Sequence, residues 1–249
     1  MQIQAYALTD VGLNRSMNQD FIYSSTAPLG SLDNLFIVAD GMGGHNAGDF
    51  ASRFVVENLV KFFSQEFPDK DVHGILKEGI RKVNRELYEA ASRRAELHGT
   101  GSTLVLATIK GTVLYVANIG DSRLYLLRDE LTQVTKDHSY VEELVAMGKI
   151  KRGSRDYMEK KNIITRAVGT AKEVDTDLFA MKLRPGDVIL ICSDGLSNMV
   201  DEFEMEYIIR SEDGLQKKTE SLVEAANRGG GKDNISVVLI DPQMKEVSV

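Results

Sequence analysis

Five aspartates in this sequence stand where an apolar run begins or ends. LFIVA runs into Asp40, YVANIG into Asp121 and VILICS into Asp194, whereas Asp20 precedes FIYSS and Asp233 precedes NISVVLI. If those runs are strands of alternating direction, the end of one lies beside the start of the next. All five carboxylates then gather on one rim. Carboxylates brought so close raise one another's pKa unless a positive charge neutralises them. Carboxylate, carbonyl and water oxygens suit a hard divalent cation, Mg²⁺ or Mn²⁺, and the lack of clustered His and Cys disfavours zinc or copper. Two such ions ~3.5–4 Å apart can bridge a water and make it hydroxide-like at neutral pH. Taken singly, each aspartate is an ordinary turn residue. Three of the five lie in the steps Asp40-Gly41, Gly120-Asp121 and Asp194-Gly195. Glycine there lets the backbone approach closely and frees its carbonyl as a further ligand.

The elements that must hold these residues are legible from periodicity. Phe50, Phe54, Val55, Leu59, Phe62 and Phe63 recur at helical spacing, as do Val72, Leu76, Ile80, Val83, Leu87 and Ala91, with Asp69 or Asp71 placed as N-cap. Leu215, Thr219, Leu222, Val223 and Ala226 predict a third helix, with Asp213 placed to cap it. Between them lie LFIVA, STLVLATI, TVLYVANI, SRLYLL, VILIC and ISVVLI, short and rich in Val, Ile, Leu and Tyr. Connections as short as the Gly-Asp step in TVLYVANI-GD-SRLYLL leave no room for a crossover, so such neighbours are expected to be antiparallel hairpins. Many antiparallel strands with a few long helices fit an α+β fold of two packed sheets with helices outside. No linker, repeat or low-complexity stretch interrupts the chain, so residues 1–249 are expected to form a single domain.

The composition excludes several functions. The hydrophobic fraction of 43% and the charged fraction of 27% are those of a globular protein, and the net charge of −7 argues against a nucleic-acid groove. The single cysteine, Cys192, rules out an internal disulfide and a Cys-based zinc site. No apolar run approaches the ~20 residues of a membrane span, and MQIQAYALTD carries neither a basic leader nor an apolar signal core. The expectation is a cytoplasmic monomer.

Seven motifs then occur in order: Arg15-Ser16-Met17-Asn18-Gln19-Asp20, VADGMGGH (38–45), GTGSTL (99–104), NIGDSRLYL (118–126), ITRAVG (164–169), CSDGLSNMV (192–200) and GGKDNISVVLI (230–240). Together they resemble the PPM family, the metal-dependent protein phosphatases of type 2C, in its compact bacterial form, from about Ala5 to Ile240. The resemblance implies a four-layer sandwich, two antiparallel β-sheets flanked by α-helices, around a two-metal centre of Mn²⁺ or Mg²⁺. It implies that Asp40, the Gly41 carbonyl, Asp194 and Asp233 ligate the two core ions, and that Asp20 holds metal-bound water from the outer sphere. Asp121 with Asp194 matches the ligands of a third, weaker ion, and Arg15 matches the residue that grips the substrate phosphate. The implied reaction is in-line attack by metal-bridged hydroxide on phosphoserine or phosphothreonine of a protein, without a phospho-enzyme. The implied counterpart is a bacterial Ser/Thr kinase.

This chain departs from the family pattern twice. Met42 stands where animal and plant relatives often carry a histidine proposed as general acid, which leaves His45 or, preferably, metal-bound water or water on a third ion at Asp121 as proton donor. Gln19 replaces a frequent Glu and lowers the local negative charge. The basic stretch GKIKRGSRDYMEKKN (148–162), after a short helix at Val141, Leu144 and Val145, lies where the family has a mobile flap, about residues 148–164. Lys149, Lys151, Arg152 and Arg155 there could attract phosphoprotein substrates, against the plainer alternative of a solvated loop. His73, His98 and His138, the last in TKDHS, are given no metal. Cys192 has Asn198 rather than Arg six residues on, unlike a cysteine phosphatase, and neither GGGKDN nor GTGSTL completes a Walker loop or a nucleophile elbow. Two rivals remain: a catalytically silent regulatory module of the same fold, and a phosphatase acting on a small phosphorylated metabolite or an anti-sigma-factor antagonist.

Overall fold

The computed structural model describes residues 2–44 and 47–244. One sheet contains β1 (Gln4–Asp10), β7 (Arg123–Leu127), β8 (Leu131–Gln133), β10 (Val188–Cys192) and β11 (Ile235–Asp241), in the order β1-β11-β10-β7-β8. The other runs β2 (Asp20–Ser25), β3 (Leu35–Met42), β5 (Leu104–Lys110), β6 (Val113–Ile119) and β9 (Asp177–Lys182), with the short β4 (Gly101–Ser102) on β3. Every pairing between these strands is antiparallel.

Three apolar layers result. Phe36, Val38, Val105 and Val116 of one sheet meet Leu124, Ile189, Ile191 and Val238 of the other, all buried. The opposite faces are covered by helices. α1 (Ala47–Phe63) and α2 (Val72–Ser92) lie on the β2–β9 sheet, while α6 (Glu202–Arg210) and α7 (Leu215–Arg228) lie on the β1–β8 sheet. Strands covered on both sides read as continuous apolar runs, which is why LFIVA and VVLI lack alternation. The fold is therefore the expected α+β sandwich, helix–sheet–sheet–helix.

The helices form where spacing placed them, with adjustments at their edges. α1 buries Ala51, Val55, Leu59, Phe62 and Phe63, while the Phe50 and Phe54 rings meet at its margin, tilted, with centroids 5.6 Å apart. α2 is capped by Asp71, whose side chain accepts from the Gly74 N–H at 2.8 Å. α7 is not capped by Asp213, contrary to expectation. Gly214 takes the N-cap position, and the Asp213 carboxylate accepts from Ser211 Oγ instead. Of the shorter helices α3 (Tyr140–Ala146), α4 (Arg155–Lys160) and α5 (Asp194–Ser197), the last two line a cavity at the rim described below. A 3₁₀ turn at Ala95–Leu97 follows α2.

One hairpin expected from sequence does not exist. β6 pairs with β5 and β9, and β7 pairs with β10 and β8, so TVLYVANI and SRLYLL belong to different sheets. Both edges of β6 are already taken, and Gly120, at φ +103°, carries the chain across the sandwich. A Cβ at Gly120 would stand 2.8 Å from the Thr103 side chain, so the crossing needs glycine.

Candidate metal centre

The crossing delivers Asp121 to the same rim as the other four aspartates. Asp20 opens β2 and stands directly opposite Asp40 in the β2–β3 register. β3 continues two residues past Asp40, so this carboxylate projects from inside a strand. Asp194 begins α5 immediately after β10, and Asp233 precedes β11, the antiparallel neighbour of β10.

The backbone around these residues is tightly held. The Asp40 N–H donates to Thr103 Oγ1 at 2.9 Å, and its carbonyl accepts from the Thr103 N–H at 2.8 Å. The Gly41 N–H donates to the Gln19 carbonyl at 3.0 Å. A Cβ on Gly41 would lie 1.9 Å from the Gly48 carbonyl oxygen and 2.7 Å from that of Gln19, so only glycine lets α1 approach here. Likewise, a Cβ on Gly195 would lie 1.9 Å from the Asn234 carbonyl oxygen.

The carboxylate oxygens are partly satisfied. Asp20 Oδ2 accepts from Ser193 Oγ at 2.7 Å, and Asp194 Oδ2 accepts from Asn198 Nδ2 at 2.9 Å. Asp233 accepts from Arg15 at 2.7 Å and from the Asn234 N–H at 2.8 Å. The Oδ1 atoms of Asp20 and Asp194, by contrast, are buried without a hydrogen-bond partner. A buried anionic oxygen left alone is costly, and a cation is the partner its chemistry requires.

Electrostatics confirm the crowding. Burial, then the charges of Asp194 and Asp233, push Asp20 up to about 7, despite the opposing bond from Ser193. Burial, then Asp20, push Asp40 well above the ordinary carboxylate value, although part of its surface stays open to the cleft. Burial, then Asp194, push Asp121 up to about 8, and burial, then Asp233, push Asp194 up to about 6. Each of the four feels at least one other carboxylate. Among the described residues no three acidic or histidine side chains stand as a preformed cage. The donor set nevertheless fits a hard divalent cation: all oxygen, acidic, and with two buried lone oxygens.

Arg15 lies on the rim beside Asp233, and Asn234, which sequence reading passed over, holds the loop that carries it. Its Oδ1 accepts from the Gln19 N–H at 2.8 Å, and its Nδ2 donates to the Val11 and Met17 carbonyls at 2.9 Å each. Lys161 was also missed. It donates to Asn198 Oδ1 at 2.6 Å, and with Asp121, Asp194, Tyr157 and Met158 it lines a cavity of about 160 Å³. Burial holds the Lys161 ammonium below its ordinary pKa, against the pull of Asp194. An Asn that orients a ligand resembles any other Asn in sequence, and only the Asp-Asn step at 233–234 hinted at it. Segment 148–164 contains the six-residue helix α4 between turns, and two of its cations are engaged, Arg152 by Glu142 and Arg155 by Glu159. Met42 lies at the end of β3, and His45 is outside the described residues.

The chain is similar to known proteins along nearly its whole length. Residues 13–235 match the sequence model of the family described as Protein phosphatase 2C. The chain is 38% identical over 244 residues to the serine/threonine phosphatase stp of Listeria monocytogenes, covering 96% of this chain and 95% of that one. Its structure superposes on the S. agalactiae serine/threonine phosphatase with a TM-score of 0.88 at 35% identity, covering 96% of this chain and 98% of that one. It also superposes on the catalytic domain of the serine threonine protein phosphatase PstP in complex with two manganese ions. There the TM-score is 0.83 at 37% identity, with 96% and 97% covered.

Proposed function

As the chain belongs to the protein phosphatase 2C family, we propose that it is a cation-dependent enzyme that hydrolyses phosphoserine and phosphothreonine on other proteins. The observation that carries this reading is the pair of buried, unpartnered Oδ1 atoms of Asp20 and Asp194 within a ring of five carboxylates, with Arg15 at its edge. A catalytically silent module of this fold should lack one or more of the metal aspartates, and this chain keeps Asp40, Asp194, Asp233 and Arg15.

Asp40, the Gly41 carbonyl, Asp194 and Asp233 would hold two divalent ions, Mn²⁺ or Mg²⁺, with Asp20 orienting bound water and Asp121 joining Asp194 at a third position. The ions, when bound, supply Lewis acidity to the phosphoryl oxygens and a nucleophilic water at neutral pH. The chain's own residues do the rest. Arg15 turns from Asp233 to the phosphate, where its planar fork matches two oxygens and meets charge that grows in the transition state. Asn234 keeps the Arg15 loop in place through three hydrogen bonds. Ser193 and Asn198 fix the rotamers of Asp20 and Asp194. Lys161 adds positive charge on the Asp121 side. Met42 has no proton to give the leaving oxygen, so water at the cation centre, on the core ions or on the Asp121 side, would supply it.

We further propose one catalytic domain over residues 1–249, with a flap at about residues 148–164, working as a cytoplasmic monomer against a Ser/Thr kinase. No helix among the described residues is long and apolar enough to cross a membrane. The deciding experiment is hydrolysis of a phosphothreonine peptide by metal-stripped protein, with and without Mn²⁺, beside Asp194→Ala. Activity that requires Mn²⁺ and is lost in the variant supports the reading. A folded parent that is inactive with every cation tried returns the regulatory module to first place.

A further inference from the structure

His138, in the turn TKDHS before α3, has only 7% of its surface exposed and no place in the chemistry above. Its ring Nδ1 accepts from the Gly120 N–H at 3.0 Å, and its own backbone N–H donates to the Gly120 carbonyl at 2.9 Å. One residue thus grips both polar groups of Gly120, the glycine at φ +103° that turns the chain between sheets and immediately precedes Asp121. No strand pairing fixes that crossing, so these two bonds supply what a ladder would supply elsewhere.

The second ring nitrogen defines the tautomer. Because Nδ1 accepts, the proton sits on Nε2, which faces Asp177 Oδ2 at 3.2 Å with Arg166 alongside at 3.3 Å. Burial holds the imidazole below its ordinary pKa, and Arg166 adds to this, although Asp177 pulls the other way. The ring is neutral, as an acceptor at Nδ1 must be. The His138 carbonyl in turn accepts from the Thr165 N–H at 2.8 Å, and the Tyr140 N–H donates to the Ile163 carbonyl at 2.8 Å. These bonds reach the base of segment 148–164.

We propose that His138 is a positioning residue for Asp121, clamping the Gly120 peptide so that the carboxylate points along the rim, and tying it to the base of the α4 segment. The inference rests on Asp121 contributing to a cation position. The clamp acts through the Gly120–Asp121 backbone and not on the carboxylate itself, so its effect falls at the low end of the ~10–100-fold by which partners bonded directly to a ligand govern metal affinity.

Two conservative substitutions separate the two ring nitrogens. In His138→Asn the amide oxygen falls near Nδ1 and keeps an acceptor for Gly120. In His138→Gln the amide reaches the Nε2 position and leaves Gly120 without one. Titration calorimetry with Mn²⁺ alone should show the weakest class of sites losing at least ~10-fold in affinity in His138→Gln. It should stay close to the parent in His138→Asn, and Gly120 amide exchange should accelerate only in His138→Gln. Asp121→Asn should weaken the same class, and His138→Gln should add nothing on that background. Parent-like Mn²⁺ binding in His138→Gln, with a weakened Asp121→Asn, overturns the clamp and leaves the cation centre standing. An unaffected Asp121→Asn overturns the cation role of Asp121 and this inference with it. If His138→Gln does not fold, ring-nitrogen NMR of the parent decides: a proton on Nε2 is expected, and one on Nδ1 refutes the clamp.

Discussion

Asp20 and Asp40 stand directly opposite one another in the β2–β3 ladder, two acids where a sheet ordinarily places complementary or apolar partners. With Asp194 and Asp121 nearby, the folded chain keeps protons that the unfolded chain releases near 3.8, since Asp194, Asp20 and Asp121 are pushed up to about 6, 7 and 8. A folded pKa raised above the unfolded one contributes stability below the unfolded value, lost as pH rises through the folded value. Cation-free protein in chelator should therefore melt at progressively lower temperature from about pH 4 to pH 8, by ~2–4 °C per kcal/mol lost. Saturating Mn²⁺ should abolish the decline, and Asp20→Asn should shrink it. A flat profile in chelator would show that the carboxylates are less crowded than the structure has them.

Arg15 pairs with Asp233 at 2.7 Å, but the two side chains keep 49% and 35% of their surface exposed. Such a pair adds ~0–1 kcal/mol at most. Arg15→Ala should leave the melting temperature almost unmoved while kcat/KM on a phosphothreonine peptide falls ~10²-fold. Arg15→Lys should recover part of the loss, because an ammonium keeps the charge without the fork. Equal activity of Arg15→Ala and the parent would remove Arg15 from the site.

Gly41→Ala is the sharpest backbone test. The added Cβ would meet the Gly48 carbonyl oxygen at 1.9 Å, and neither β3 nor α1 can yield without shifting Asp40. Thermal unfolding should report a loss of ~1–3 kcal/mol, typical of overpacking, with weakened Mn²⁺ binding in calorimetry. An unperturbed variant would mean that α1 moves freely relative to the rim.

The rim was legible in sequence because each carboxylate adjoins an apolar strand, and antiparallel order turns that adjacency into proximity. What was not legible depends on contacts far apart in the chain. The Gly120 crossing looks like a hairpin turn until the partners of β6 are known to be β5 and β9. β1, QAYALTD, and β9, DLFAMK, lie at or beside sheet edges, are only partly buried and carry too little apolar pattern to announce themselves. Asn234, Asn198 and His138 act through side-chain hydrogen bonds to backbone or carboxylates, and residue type alone does not reveal such a role.

Segment 148–164 makes the last prediction, and the structure redirects it. Replacing Arg152 and Arg155 looks from sequence like the way to weaken phosphopeptide binding, yet Arg155 reaches only Glu159 on its own helix. Arg152 donates to both oxygens of Glu142 on α3, and Tyr157 Oη donates to the same carboxylate at 2.8 Å. Arg152, then Tyr157, hold the Glu142 carboxyl below its ordinary pKa against the effect of burial, as expected of an engaged anion. Glu142 is thus the anchor that holds α4, and with it Met158 and Lys161, over the Asp121 side of the cavity. Glu142→Ala should raise KM for a phosphopeptide several-fold while sparing a small aryl phosphate. Arg155→Ala should change neither. If Glu142→Ala affects both substrates alike, α4 does not discriminate between them and the anchor serves stability alone.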